Sequence, residues 1–350
     1  MHRPHVAYVI DPRFPGGTSS AVAAEIKQVA TFARVSVHGL ETSMFKGRDV
    51  APQLATALND LGLEVIWDNR TISADTVLLH NPSCLRFQDA LGVKIAARQV
   101  IVVTHENFVR PSGAEAFDVG LCLDQILQSS FALRFILAPL SGWNREAIKK
   151  WDGLHGHLNR WSVLDTDWFN ICDFEFKPPN TVIKDRRGRL SRPGFEKFPQ
   201  DDVMRLCFPS HAESNVILGA DTLMLAANRP AHWTLFPFRG LDVKSFFDMI
   251  DFMVYFTAPT LRESFGRVLA EGIAAGKIVI SDPETAKTFG GGVVAASPDT
   301  VDQVVKGYID NPKKYAADVA AAQAGLRRFS GEEFLRQHRP LLTEESEVAA

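Results

Sequence analysis

Two glutamates, Glu263 and Glu271, stand with seven residues between them in the stretch LRESFGRVLAEGIAAGKIVISDP, Leu261 to Pro283. In a helix that spacing would set the carboxylates ~12 Å apart along the axis, about the length of a diphosphate with one group at each end. Glu263 is expected just before the helix, with Ser264 as the cap and Val268, Leu269, Ile273 and Ala274 as the buried stripe. The N–H groups of Ser264, Phe265 and Gly266 would then face phosphate or sugar oxygens, Gly266 allowing close approach. Gly276 stands where a C′ glycine belongs, and KIVI reads as a buried strand. The plain alternative is a solvated helix face whose first carboxylate answers the helix dipole.

Two other stretches carry residue types suited to phosphate. In DPRFPGGTSS, Gly16 and Gly17 let the backbone approach a ligand, and Thr18, Ser19 and Ser20 are expected to cap the following helix. A tight turn needs the same glycines without any ligand. No G-x-G-x-x-G and no G-x-x-x-x-G-K-[ST] occurs, so neither the dinucleotide nor the P-loop fingerprint is met. In DRRGRLSRPGFEKFP, Arg186, Arg187, Arg189, Arg192 and Lys197 are expected in a Gly/Pro-punctuated loop. Arginine would grip phosphate bidentately and lysine would add a mobile charge. A solvated basic linker is the alternative.

The elements that must position these residues alternate. HVAYVI, RVSVHGL, LEVIWD, TVLLHN, QVIVVTH and RFILAPL read as strands, with helices AVAAEIKQVATFA and APQLATALNDLG among them. After a break at KPPN, Lys177 to Asn180, the alternation restarts with RLCFPS and NVILGA as strands, DTLMLAANRP as a helix, HWTLFPF as a strand, VKSFFDMI as a helix and DFMVYFT as a strand. Such βαβ order implies parallel sheets, and such sheets bind ligands beyond the carboxyl ends of their strands. With 350 residues the length favours two domains. These are an N-terminal Rossmann-like domain over 1–176 and a C-terminal one over 177–330, facing across a cleft. A C-terminal helix and tail, 331–350, is expected to be able to pack back on the first domain.

Composition narrows the class. Hydrophobic residues make 46% and charged residues 23%, the balance of a soluble globular protein. The net charge of −3 argues against a general nucleic-acid binder, and neither a signal-length apolar run nor a membrane span is visible. Cys84, Cys122, Cys172 and Cys207 are scattered, as expected of reduced, partly buried thiols in a cytoplasmic protein. Asp165-Thr-Asp167 is formally a metal-type D-x-D and His155-Gly-His157 pairs two imidazoles, but neither has the further ligands a metal needs, and no metal is expected.

The Glu263-x7-Glu271 motif followed by GIAAGKIVISDP resembles the signature of retaining GT-B glycosyltransferases, in particular glycosyltransferase family 4. PRFPGGTSSAVAAEI is similar to that family's glycine turn, GRLSRPGFEKFP to its basic phosphate element, and VVTHENF places His105 after a strand, where such enzymes often keep a histidine. APLSGWNREAIKKW and DWFNICDFEF resemble a bacterial subfamily of surface-polysaccharide enzymes. The resemblance implies that Glu271 binds the ribose hydroxyls and that Arg189 and Lys197 hold the pyrophosphate, Arg192 sharing the donor site. It implies that Glu263 bonds the donor sugar, that the Gly16 and Gly17 amides complete the phosphate cradle, that His105 lies by sugar or acceptor, and that Phe238 lines the base pocket. Catalysis would fall to Glu263, His105, Arg189 and Lys197 without metal or other cofactor, the nucleotide-diphosphate sugar being the donor substrate. The acceptor would be a hydroxyl of a glycan, free, lipid-linked or protein-linked.

The partners implied are therefore the donor and a glycan or lipid-linked acceptor, with no nucleic acid. The expected location is the cytoplasm, with peripheral contact at the inner face of the cell membrane open. Glu106, Asn107 and Arg110 are candidates on the acceptor side. Two other readings share this architecture: a catalytically silent nucleotide-sugar-binding or scaffold protein, and a nucleotide-sugar epimerase, for which dedicated acid and base carboxylates are not evident.

Overall fold

The computed structural model describes residues 3–14 and 16–343; the acidic tail from Glu344 lies outside them. The chain forms two compact units, one running to Ile171 and taking in the segment from Phe329 onward, the other Cys172–Arg328.

The first unit runs β1 (His5–Ile10), α1 (Gly17–Val29), β2 (Arg34–Gly39), α2 (Pro52–Asp60), β3 (Val65–Ile66), β4 (Thr71–His80), β5 (Lys94–Thr104), α3 (Val119–Ser129), β6 (Ser130–Pro139), α4 (Gly142–His155) and β7 (Ser162–Val163). All seven strands are parallel, in the order β3-β2-β1-β4-β5-β6-β7. Both faces of the sheet are covered, so β1 and the second halves of β4, β5 and β6 read as continuous apolar runs rather than alternating ones.

The second unit runs β8 (Arg186–Leu190), α5 (Asp201–Cys207), β9 (Ser214–Leu218), α6 (Asp221–Met224), β10 (Trp233–Phe236), α7 (Val243–Asp248), β11 (Phe252–Tyr255), α8 (Arg267–Ala274), β12 (Ile278–Ser281), α9 (Pro283–Lys287), β13 (Val294–Ala295), α10 (Val301–Ile309) and α11 (Pro312–Leu326). Its six parallel strands stand in the order β10-β9-β8-β11-β12-β13. The last helix, α12 (Gly331–Thr343), belongs to the first unit: Phe334 packs edge-on to Trp168 at 5.3 Å, and Gln99 donates to the Leu341 carbonyl at 2.7 Å.

Each sheet reverses direction once, between β1 and β4 and between β8 and β11. Helices leave opposite faces on either side of a reversal, which opens a crevice at the carboxyl ends of those strands. The turns after β1, β4 and β5 in one unit, and after β8 and β11 in the other, are therefore the places a ligand would reach.

Four expectations need correction. RLCFPS is not a strand, because Arg205 to Cys207 close α5, with Met204 and Cys207 on its buried side. Arg186, Arg187 and Arg189 do not stand in a loop but on β8 itself. LEVIWD shrinks to a two-residue strand, and DTLMLAANRP keeps only its first turn as helix.

Backbone shape at the crevice of the second unit depends on Gly219, which follows β9 at φ +85°, and a Cβ there would overlap the Ser191 carbonyl oxygen. Both strain and overlap fall on backbone, which no rotamer relieves. Gly219→Ala is expected to cost ~2–4 kcal/mol of stability, read from the shift of the urea midpoint; an unchanged midpoint contradicts this placement.

Candidate active site

In the second unit, the turns after β8 and β11 bring five side chains together. Arg189, wholly buried on β8, lies between the rings of Phe198 and Tyr255, its guanidinium 4.5 and 4.7 Å from their centroids. It donates to the carbonyls of Phe256 and Lys197. Burial pulls the guanidinium below its ordinary pKa, though arginine keeps its charge in proteins. The side chain thus ties the end of β11 to the turn carrying Lys197.

Lys197 Nζ reaches Glu263 Oε1 at 2.5 Å, with the two side chains only 17% and 14% exposed. The Tyr255 hydroxyl donates to the same oxygen at 2.6 Å. Burial alone would raise the Glu263 carboxyl, but the Lys197 charge, the bonds from Lys197 and Tyr255 and the nearby Arg192 outweigh it and hold the group below its ordinary value. A nearly buried ion pair loses much hydration and is weak evidence for stability. At the mouth of a crevice such a pair is instead a candidate functional group.

Glu271 projects from α8 beside Arg267, with 3.5 Å between Oε1 and Nε. The Arg267 guanidinium in turn lies 4.8 Å from the centroid of the Phe174 ring. Burial raises the Glu271 carboxyl above the ordinary range, and Arg267 offsets only part of that. The helix between the two glutamates is shorter than the spacing suggested. α8 begins at Arg267, and its N-cap is Gly266 at φ +88° with no side-chain cap. Ser264 is therefore not the cap, and Glu263 sits four residues ahead of the helix on the turn. Phe265 is buried against Phe289 at 5.5 Å.

The remaining basic residues separate by environment. Arg186 is paired with fully buried Asp251 at 2.7 Å, and Arg187 with Asp185 and Asp302, each at 2.7 Å. Arg192 is exposed beyond the strand. Phe238 follows β10 at the sheet edge, with β9 between that strand and β8; its N–H is bonded to Asp221 at 2.9 Å.

In the first unit, α1 starts at Gly17 with Gly16 as N-cap at φ +96° and no side-chain cap. Thr18, Ser19 and Ser20 lie inside the helix, and the Ser19 hydroxyl donates back to the Phe14 carbonyl instead of capping. His105 follows β5 and meets His80, the last residue of β4, at 2.9 Å between Nε2 and Nδ1. Burial and His80 together lower the His105 pKa well below its ordinary value. Asn107 is buried and accepts from Asn144, while Glu106 faces Arg86 at 3.4 Å.

Tyr255 and His80 were not singled out from sequence. Each ends a strand at its sheet's reversal, and that position is the signal that would have found them. Asp167 is taken by Arg145, and His157 pairs with Asp124 at 2.9 Å. Among the described residues, no group of three or more His, Cys, Asp or Glu is placed to hold a metal ion, and no helix is long and apolar enough to cross a membrane. All four cysteines are buried, with Cys122, Cys172 and Cys207 pushed up to about 12 by burial.

The two reversed parallel sheets are the α/β architecture of the GT-B fold, and solved structures share it over the full chain. HepE of Anabaena, in complex with UDP-glucose, superposes with a TM-score of 0.65 at 16% identity, covering 98% of this chain and 100% of its own. Sucrose-phosphate synthase from Thermosynechococcus elongatus gives 0.61 at 12% identity over 98% and 99%. An α-glucosyltransferase in complex with UDP-glucose and DNA containing an abasic site gives 0.57 at 11% identity over 98% and 100%. No protein-family model and no curated protein matches the sequence. The DNA complex overturns the expectation that excluded nucleic acid. A chain of this fold takes DNA, so a net charge of −3 does not rule out such a partner.

Glu271 supplies the prediction for this site. Its raised pKa means the ionised form is disfavoured in the folded chain, so the group costs stability above its folded pKa and that cost fades as pH falls through it. Glu271→Gln is expected to leave the Tm at pH 7.5, about three pH units above an ordinary glutamate pKa, no lower than wild type. A clear drop would make the Arg267 pair a structural staple instead.

Proposed function

We propose that the protein is a retaining glycosyltransferase of the family 4 kind, moving a sugar from a nucleotide-diphosphate sugar to an acceptor hydroxyl of a glycan, free or carried on lipid or protein. The observation that carries this reading is the Lys197–Glu263 pair, steadied by Arg189 and Tyr255 at the reversal of the second sheet. The UDP-glucose held by two proteins of the same fold makes UDP-sugars the first donors to test.

In this reading Lys197 holds the diphosphate with Arg192 alongside, and Glu271 accepts hydrogen bonds from the ribose diol, which requires its carboxylate form. Glu263 keeps Lys197 oriented and turns its carboxylate to a donor-sugar hydroxyl. The backbone of the turn Ser264, Phe265 and Gly266, ahead of α8, and that at Gly16 and Gly17, where α1 starts, is assigned in this reading to the phosphate and sugar oxygens. Phe238 stacks on the base, and His105 meets a sugar hydroxyl. Arg189, expected from sequence to touch the pyrophosphate, acts from behind: buried between two rings, it fixes the Lys197 carbonyl and adds its charge at one remove.

The bond from the anomeric carbon to the leaving phosphate oxygen breaks while the acceptor oxygen adds on the same face. The acceptor proton passes to the departing phosphate. Charge grows on the diphosphate during this step, and a lysine already desolvated and oriented stabilises it without reorganisation.

A thermal-shift screen of nucleoside diphosphates and their sugars, followed by a transfer assay on any donor that shifts the Tm, tests the reading. A ligand that binds only the native state at 100 times its Kd adds ~2.7 kcal/mol of stability. Lys197→Ala is expected to lower transfer by roughly 100-fold or more, and Glu271→Gln to weaken nucleotide binding. Nucleotide affinity should fall on acidification at a higher pH than an ordinary glutamate would set, because Glu271 protonates early. No shift with any diphosphate contradicts the proposal; a shift without transfer to any acceptor favours the silent binding protein.

A further inference from the structure

Phe131 and Leu133, on the first half of β6, are 80% and 78% exposed. Strands of an all-parallel sheet are ordinarily covered on both faces, and here one face is bare. Side chains alternate along a strand, so Ala132 between them points to the other face, where it packs with Ala74 and Ala97 against the core. Across the sheet from Phe131 stands Ala96, and beyond that Ser73. Neighbours this small leave the phenyl ring uncovered, and the leucine is as exposed two residues on. A lone apolar residue on a surface needs no explanation, but two large ones adjacent on one strand face do.

The backbone beside them is open as well. β7 ends the sheet, but it pairs with β6 at Ile136 and Leu137. Among the described residues, no strand lies along the outer side of Phe131–Leu133. Open edges are commonly blunted by proline or by charge, and Ser-Phe-Ala-Leu, residues 130–133, carries neither. A face that gains by being covered therefore coincides with an edge ready to pair. A lipid surface would cover the side chains but leave the edge unanswered, because hydrocarbon offers no hydrogen bonds. A strand answers both.

The sequence of the edge favours its own copy. Centred on Ala132, an antiparallel pairing sets Phe131 opposite the second copy's Leu133, and Leu133 opposite the second copy's Phe131. Directly opposed side chains share a face and touch, so four apolar side chains close over one another on the bare side. Ala132 meets its own equivalent on the axis, where a small side chain is needed. Arg134 falls opposite Ser130 and not opposite its own copy, which avoids a like-charge contact. We propose that the protein forms a two-fold dimer with a second copy of this chain, paired antiparallel along Ser130–Arg134 of β6. Such a contact uses the same patch on both chains and closes on itself, so it ends at two copies. The inference goes beyond the donor-site reading and does not rest on it: the pairing segment is the amino end of β6, away from the crevice at the carboxyl ends of the strands.

Sedimentation velocity of the full chain from roughly 1 to 100 μM, the range suited to a small interface, tests the proposal. The mass should rise with concentration from 38.7 kDa to twice that value. Leu133→Lys places a charge on the exposed face and should raise the dimer Kd at least ~10-fold, with the Tm unchanged at a dilution where the wild type is monomeric. Ala132→Cys reports the register. Opposed residues of antiparallel strands stand roughly 4.5–5.5 Å apart between Cα atoms, within disulfide reach, and the four native cysteines are buried. Mild oxidation of this variant should therefore give a covalent dimer. A monomer throughout the range overturns the proposal, as does a dimer that Leu133→Lys leaves intact or that Ala132→Cys fails to link. A monomer that sediments with anionic vesicles, and loses that binding in Phe131→Ser, also overturns it and gives the surface to lipid.

Discussion

The candidate site turns on an ion pair that is nearly out of water. Lys197 and Glu263 come from the turns after two adjacent strands of one sheet, and each is less than a fifth exposed. Their attraction has to offset the loss of two hydration shells, and such pairs seldom gain stability on balance. What makes the arrangement tenable is the surrounding set: the Tyr255 hydroxyl on the same carboxylate oxygen, and Arg189 beneath, clamped by two rings and bonded to the Lys197 carbonyl. Under the proposed function the pair is preorganised for a third charged group. A diphosphate would find a lysine already stripped of water and a carboxylate already ionised.

Sheet order explains why these residues meet. Reversal between β8 and β11 places the turn bearing Lys197 beside the one bearing Glu263, and α8 then carries Glu271 away from that point. The first unit repeats the device, with Gly16 after β1, His80 at the end of β4 and His105 after β5. Rigid strands fix the backbone, and the turns at their carboxyl ends hold the chemistry. Gly219 and Gly266 adopt backbone angles that few other residues would tolerate there.

Part of this was legible in the chain alone. The α/β alternation, the glycine turn and the two glutamates are local patterns, and local patterns survive in sequence. Gly276 marks the end of α8 for the same reason, since a φ of +76° there needs glycine. The misreadings came where tertiary contacts override composition. Arg-Arg-Gly-Arg reads as a solvated loop, yet it forms a central strand because Asp251, Asp185, Asp302 and two aromatic rings take up the charges. RLCFPS has the apolar look of a strand but closes a short helix. His80 and His105 are joined only by the fold, and no spacing in the sequence connects them.

The account stands or falls on whether the Lys197–Glu263 pair opens to a diphosphate. Calorimetric titration of UDP against UMP, on the wild type and on Lys197→Met, asks this directly. The account predicts that the wild type binds UDP at least tenfold more tightly than UMP, about 1.4 kcal/mol, and that Lys197→Met loses most of that preference while its UMP affinity holds. Equal affinities for UDP and UMP in the wild type, or an unchanged preference in Lys197→Met, would contradict it.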